Sequence, residues 1–138
     1  MSLNVYLHFN DTCRQAFEFY RSIFGGDFDL ITTFGEGPPD FTPPEDEHEN
    51  IMHVSYRIGD TVLMGSDTPS TFGPPTVMGN NFSLSYVPSS REEMDELFGK
   101  LSQDGKVTMP PAEMFWGAYF GSCTDKFGVN WMLNVDHD

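Results

Sequence analysis

Histidine, arginine and carboxylate side chains are the groups of this sequence that could do chemistry, and their spacing limits what that chemistry is. The run His48-Glu49-Asn50-Ile51-Met52-His53 resembles the zinc motif H-E-x-x-H but contains one residue too many. On a helix, residues five positions apart point about 140° away from each other, so this run predicts no helical metal site. His53, Ser55 and Arg57 share one face of a predicted strand, where a histidine and an arginine could hold an anionic group or form a plain polar surface.

His8 and Glu36 each allow a functional and a structural interpretation. His8 alternates onto the same face of a predicted strand as Asn4 and Tyr6, where it could contact a ligand or be a satisfied strand histidine. Glu36 follows a predicted strand and could act as a base, pair with a cationic ligand, or be solvated. The role of each residue therefore depends on where its strand places it in the fold.

Those elements occur twice along the chain. In the first half, apolar residues alternate with polar ones from Val5 to Phe9, as expected of a half-buried strand. Asn10-Asp11-Thr12 predicts a helix cap, and apolar residues then recur at helical spacing until Gly25-Gly26 ends the helix. Two further strands are predicted at residues 52–58 and 61–66, on either side of a Gly-Asp turn.

The second half repeats this order. Residues 82–87 predict a strand, Ser90 and Glu93 form a capping box, and the helix behind them has apolar residues at i, i+3, i+4 and i+7 until Gly105 closes it. Paired strands are predicted at 118–123 and 129–135. Each half is therefore predicted to be a βαβββ unit, and the chain to belong to the α+β class.

A stretch rich in proline and glycine suggests how the two units are joined. We expect a single domain, 1–138, with a first unit at 1–68, a linker at 69–79 and a second unit at 80–138. The linker is rich in proline and glycine and too short to separate independent domains. Because neither unit can bury both faces of its sheet, we expect one curved mixed sheet around a shared cleft, with the helices outside.

Charge and composition exclude several partners. Seven Lys and Arg against twenty-one Asp and Glu give a net charge of −14, which repels nucleic-acid phosphates and anionic membranes. No run approaches the ~20 apolar residues of a membrane span, and the start lacks a signal pattern, so a cytoplasmic protein is expected. Cys13 and Cys123 are predicted to be buried thiols, and His137 to be exposed in the tail.

Several runs resemble the PhnB-like branch of the vicinal oxygen chelate superfamily, which includes glyoxalase I, bleomycin-resistance proteins and extradiol dioxygenases. The most specific is Glu113-Met114-Phe115-Trp116-Gly117-Ala118-Tyr119-Phe120-Gly121, and residues 6–10, 34–36, 64–67 and 124–132 also match. The resemblance implies the glyoxalase/bleomycin-resistance fold, and we expect a homodimer. It does not fix a reaction, because this fold hosts metal-dependent isomerases, dioxygenases and binding proteins without catalysis.

The resemblance also indicates where a metal would bind. Relatives that use a metal take four ligands, usually His or Gln plus Glu, from the first and last strands of each half. At those positions this chain has one amide, two thioethers and a benzene ring: Asn4, Met64, Phe82 and Met132. Such a set cannot neutralise a divalent cation. A shift of two residues also supplies no carboxylate, since it gives His8, Ser66, Leu84 and Asn134.

We therefore predict a protein that binds a small molecule without a metal or other cofactor. The expected apolar walls and polar groups of its cleft are Tyr6, Met64, Phe82, Tyr86, Trp116 and Met132, with Asn4, His8, Ser66, Asn130 and Asn134. We expect a cationic or aromatic ligand, because net negative charge favours cationic ligands by steering and aromatic walls could add cation–π attraction.

Two enzyme hypotheses stand beside this one. The alternative is a metal-dependent glyoxalase- or dioxygenase-type enzyme with a displaced site formed by His8, Glu36 and His53. A methyltransferase would be the third possibility, but no G-x-G-x-x-G run opens a helix to hold a nucleotide-like methyl donor.

Overall fold

The computed structural model describes residues 1–136, apart from the side chain of Phe41; the predicted exposure of His137 lies outside the described residues. The chain folds into two compact units, Met1–Val77 and Met78–Asp138. Neither α-helix among the described residues is long and apolar enough to cross a membrane.

The first unit is a four-stranded sheet with one α-helix. Its elements are β1 (Val5–Phe9), α1 (Cys13–Phe24), β2 (Phe28–Thr33), β3 (Ile51–Ile58) and β4 (Thr61–Asp67). The sheet has the order β1-β4-β3-β2, in which β1 and β4 are parallel and the other neighbours antiparallel.

The second unit has the same topology. Its elements are β5 (Leu84–Tyr86), α2 (Arg91–Ser102), β6 (Lys106–Glu113), β7 (Tyr119–Thr124) and β8 (Asn130–Val135). The sheet order is β5-β8-β7-β6, again with its first pair parallel. The predicted α+β class and the repeated βαβββ order are therefore confirmed.

In the first unit, one face of the sheet packs against α1. Phe17 and Tyr20 of the helix are fully buried, as is Phe9 of β1. Gly65 of β4 permits the close approach, because a Cβ atom there would lie 2.5 Å from the ring of Phe17. The opposite face of this sheet is therefore the one that remains for function.

The helix termini follow the sequence only in part. The hydroxyl of Ser90 accepts a hydrogen bond from the Glu93 N–H (3.1 Å), as predicted, but the Glu93 carboxylate reaches back to Ser89. Thr12 makes no side-chain cap for α1. Gly105 lies beyond the end of α2 at Ser102, and a side chain there would collide with the Thr124 carbonyl.

Two aromatic residues, Phe115 and Trp116, lie between strands. They are in the turn between β6 and β7 and not in either strand. Met114 N–H donates to the Ala118 carbonyl (2.8 Å), which closes the turn, and Gly117 within it has a φ of 91°. Trp116 is therefore 55% exposed at the tip of a hairpin.

Candidate functional site

The face of the first sheet opposite α1, here called the open face, collects most of the chemically capable residues predicted from the sequence. The strand register places Tyr6 beside Met64, His8 beside Ser66, and Ser55 beside Met64 on the other side. All of these side chains are half-buried or exposed. The whole face consists of Tyr6, His8, Leu30, Thr32, His53, Ser55, Arg57, Val62, Met64 and Ser66.

A pocket of about 450 Å³ lies at one end of the open face. Its polar groups include the imidazole of His8 and the hydroxyl of Ser66, which lie opposite each other on β1 and β4. The other lining residues are Phe34, Met52, Asp67, Thr68, Pro69 and Phe72. A mostly apolar wall with few polar groups is the usual composition of a small-molecule site.

Asp67 lines the floor of this pocket, but both oxygens of its carboxylate are hydrogen-bonded to backbone N–H groups. One carboxylate oxygen accepts from the Cys13 N–H (2.9 Å) and the other from the Ile51 N–H (2.8 Å). The residue is only 2% exposed. Burial raises the pKa of Asp67, and the two N–H groups partly oppose that rise. Asp67 thus joins the starts of α1 and β3 to the end of β4.

An aromatic cluster continues from the pocket along the open face. The rings of Tyr6 and His8 are 5.0 Å apart, and those of Tyr6 and His53 are 5.7 Å apart. The Tyr6 hydroxyl lies 3.2 Å from Nδ1 of His53, within hydrogen-bond distance. Because Tyr6 is on β1 and His53 on β3, this bond crosses over β4 and fixes both rings above the sheet.

The displaced metal site considered from the sequence does not form a cluster. The Glu36 carboxylate accepts from the backbone N–H (3.1 Å) and the hydroxyl (2.9 Å) of Thr33, which lower the pKa of Glu36. It therefore caps a short 3₁₀ turn, while His53 is paired with Tyr6. Among residues 1–136, no group of three or more His, Cys, Asp or Glu side chains could hold a metal ion.

In the second unit, several predicted ligand contacts have local partners. The Asn130 carbonyl accepts from the Thr124 hydroxyl (2.7 Å), and its NH₂ donates to the carbonyls of Gly79 (2.9 Å) and Phe82 (3.3 Å). Asn134 donates to Asp136 (3.1 Å). These side chains therefore act as local braces.

The apolar residues predicted to line a cleft in this unit occupy different places. Met132 lies on the sheet face opposite the buried Leu133, beside Ser85. Tyr86 is in register with Leu133, on the face that packs against α2. Phe82 precedes β5 and is 61% exposed. The described structure thus divides this predicted set between two faces and a loop.

Six of the eight lining residues were missed from the sequence: Phe34, Met52, Asp67, Thr68, Pro69 and Phe72. Phe34 follows β2, Met52 lies near the start of β3, and Phe72 lies in the stretch interpreted as a linker. The Asn10 side chain donates to the Thr76 carbonyl (2.8 Å) and accepts from the Thr76 N–H (3.0 Å), which attaches that stretch to the first unit. A long-range partner of this kind has no signature in local spacing.

The comparisons with known proteins agree with this architecture. The profile of the 3-demethylubiquinone-9 3-methyltransferase family matches residues 2–134. The chain belongs to this family. Protein YjdN of Escherichia coli is 34% identical to it over 98% of the chain and 95% of its own length. Among solved structures, PA1353 of Pseudomonas aeruginosa is 37% identical with a TM-score of 0.85, covering 99% and 100% of the two chains.

A further family structure ties the chain to the PhnB-like group. The PhnB protein of Bacillus cereus is 25% identical, with a TM-score of 0.79 over 98% of this chain and 99% of that one. A glyoxalase/bleomycin resistance protein/dioxygenase family enzyme of Burkholderia phytofirmans is 15% identical, with a TM-score of 0.62 over 96% and 95%. The chain is thus PhnB-like and has the glyoxalase/bleomycin-resistance fold.

The residues at the glyoxalase-type metal positions do not fit a metal ion. Met64 and Met132 lie on β4 and β8 as the resemblance implied, and each offers only a thioether. Asn4 lies just before β1, and its amide is 3.5 Å from the Ser2 hydroxyl. Phe82 offers no donor atom. Hard or borderline divalent ions bind oxygen, imidazole or thiolate ligands, so no reaction step is derived through a metal at these positions.

Proposed function

We propose that this PhnB-like protein binds a small molecule in the first-unit pocket and on the adjoining open face. The observation that carries the proposal is the pocket itself, whose volume of about 450 Å³ falls in the range of small-molecule sites. Phe34, Met52 and Phe72 supply apolar contact for a ligand body, and His8 and Ser66 supply orientation. Of the aromatic and cationic ligands expected from the sequence, these walls support an aromatic or apolar body.

Protein-observed NMR with a library of small aromatic compounds tests the proposal. Ligands should shift the backbone amides of His8, Ser66 and Phe72 more than any others. Phe72→Ala should weaken the best ligand by about tenfold, because an aromatic contact of this kind contributes roughly 1–2 kcal/mol. Phe115→Ala is the matched control, since Phe115 is also a solvent-exposed phenylalanine but lies in the second unit. Equal losses in the two variants, or shifts remote from the pocket, would contradict the proposal.

Methyl transfer, which the family description names, has no support in the residues. The β1–α1 and β5–α2 connections are Asn10-Asp11-Thr12 and residues 87–90, and neither contains the glycines that let a backbone cradle a nucleotide-like donor. Titration calorimetry with S-adenosylmethionine checks this point, and saturable binding would return methyl transfer to consideration.

The metal-enzyme alternative also gains no support, because Glu36 is engaged with Thr33 and the glyoxalase positions lack suitable donors. Elemental analysis of the purified protein remains its direct test. Near-stoichiometric Zn, Ni, Mn or Fe that is lost on His8→Asn or His53→Asn would favour that alternative over the present proposal.

A homodimer and a cytoplasmic location complete the proposal. Apolar side chains are exposed on β6 and at its turn: Val107, Met109, Phe115 and Trp116. Exposed apolar groups of this kind are common where protein surfaces associate. Light scattering after size exclusion should give twice the chain mass of 15.6 kDa, and the monomer mass would contradict the dimer.

A further inference from the structure

The charges of the first unit are segregated away from the open face. Residues 1–77 contain twelve Asp and Glu against three Arg and no Lys, yet none of the ten strand positions named for the open face has a carboxylate; Asp29 lies in the bulge of β2 between Phe28 and Leu30. Three of the ten are basic instead: His8, His53 and Arg57. A strongly acidic chain thus has bases and no acids at these positions.

The second unit shows that the fold does not require these bases. Met64 lies between Tyr6 and Ser55, and Met132 lies between Ser85 and Ser122, so the two sheets can be matched position by position. At the positions of His8, His53 and Arg57 the second unit has Val87, Phe120 and Thr124. The same topology forms without a titratable group at these places, so their presence in the first unit calls for a reason other than folding.

The pocket wall also lacks a counter-charge for a cationic ligand. Asp67 is the acid among its lining residues, and backbone N–H groups of Cys13 and Ile51 occupy both of its carboxylate oxygens. A cation that enters an apolar pocket loses hydration, and this pocket offers it no free carboxylate in exchange. His8 and Ser66 can instead donate an N–H and an O–H to an anion.

Two acids, Asp46 and Glu47, belong to a neighbouring pocket. They line a cavity of about 470 Å³, which shares only Thr68 and Pro69 with the first. The Glu47 carboxylate accepts from the backbone N–H (2.9 Å) and the hydroxyl of Ser70. Neither acid is among the lining residues of the first pocket.

We propose that the ligand of the open face is a small organic acid. Its apolar body fills the pocket, and its oxyanion is held by His8 and Ser66, with the Tyr6–His53 pair beside them. This inference rests on the proposed function and replaces the cationic ligand expected from net charge, because that charge lies elsewhere on the chain. Repulsion from the net charge would slow association more than it would change the contacts in the complex.

Three probes with one phenyl ring and different heads test the sign of the ligand: phenylacetate, 2-phenylethylammonium and 2-phenylethanol. NMR titrations at the amides of Ser66 and Phe72 should give phenylacetate a Kd at least about tenfold below that of the ammonium compound, or ~1.4 kcal/mol. Benzylphosphonate forms a fourth arm, which distinguishes a planar carboxylate from a tetrahedral head.

Variants assign the effect to residues. His8→Asn and Ser66→Ala should each weaken phenylacetate about threefold to tenfold, the usual net contribution of one hydrogen bond, and leave 2-phenylethanol unchanged. His48→Asn is the matched control for His8→Asn, since the His48 ring contacts the Pro43 carbonyl and does not line the pocket.

The outcomes separate the two proposals. Tighter binding of 2-phenylethylammonium at the pocket amides would overturn the acid inference and leave small-molecule binding intact. Preference for phenylacetate that persists undiminished in both His8→Asn and Ser66→Ala would also overturn it. If none of the probes shifts the pocket amides, and the aromatic library fails there too, both proposals fall together.

Discussion

Replacement of Asp67 by asparagine tests whether one buried carboxylate holds the pocket floor together. Asp67 accepts two backbone N–H groups from separate elements, α1 and β3. In Asp67→Asn the amide oxygen can keep one of them, while the NH₂ group faces the other and leaves a buried N–H without an acceptor. An unsatisfied buried donor costs roughly 1–3 kcal/mol, partly offset because a neutral amide is easier to bury than a charge. We expect a loss of about 2 kcal/mol.

Urea unfolding followed by circular dichroism measures this loss. With an m-value of about 2 kcal/mol/M, the midpoint should fall by about 1 M at unchanged m. Asp60→Asn is the control, because Asp60 lies exposed in the β3–β4 turn. Burial raises the pKa of Asp67, so its contribution to the free energy of unfolding is greatest at acidic pH and declines as pH rises through that pKa. The difference in unfolding free energy between wild type and Asp67→Asn should therefore become smaller as pH rises. A midpoint within about 0.2 M of wild type, or an equal fall in Asp60→Asn, would refute the reasoning.

Three further perturbations have defined outcomes. Thr33→Val removes a hydroxyl donor to Glu36 and should raise the pKa of Glu36 in a carboxyl NMR titration, because the hydrogen bonds from Thr33 lower that pKa. The stability that these hydrogen bonds contribute is lost as pH falls through the pKa of Glu36. An unchanged pKa would contradict this. Burial raises the pKa of Cys123 to about 11 and that of Cys13 further, so neither thiol should react with Ellman's reagent before unfolding. Asn130→Ala removes three hydrogen bonds and should speed amide exchange before β5, with a loss of about 1–3 kcal/mol in unfolding free energy; unchanged exchange would count against its role as a brace.

Local pattern located most elements of the fold, with the exception of β2 and β6, for which it gave no bounds. Alternation along Val5–Phe9 predicted β1 and also which of its side chains face α1, because the period of a strand is a property of the backbone. Gly25, with a φ of 82°, ends α1 as predicted, since the left-handed region favours glycine. The predicted burial of Cys13 and Cys123 is confirmed for the same reason of periodicity.

The site depended on contacts that local pattern does not encode. Tyr6, His8, Met64 and Ser66 lie together because β4 returns to pair with β1, a consequence of topology that the repeat suggested. Phe72 was interpreted as linker because its segment is rich in proline and glycine, and only the distant Asn10–Thr76 bonds attach that segment to the pocket. Asp67 ends a strand like any exposed acid, and its two partners lie 54 and 16 positions away.

Because the two βαβββ units share one topology, residues that differ at matching positions are not required for folding. Met64 and Met132 occupy matching positions, so a thioether there is compatible with both sheets. His8 is matched by Val87, which lies directly after β5 and is 65% exposed. His8 is exposed as well, so an imidazole at this position gives no packing advantage that the fold would need. Two single variants, His8→Val and Val87→His, should therefore both leave the two units folded. Acid binding should weaken in His8→Val and stay unchanged in Val87→His.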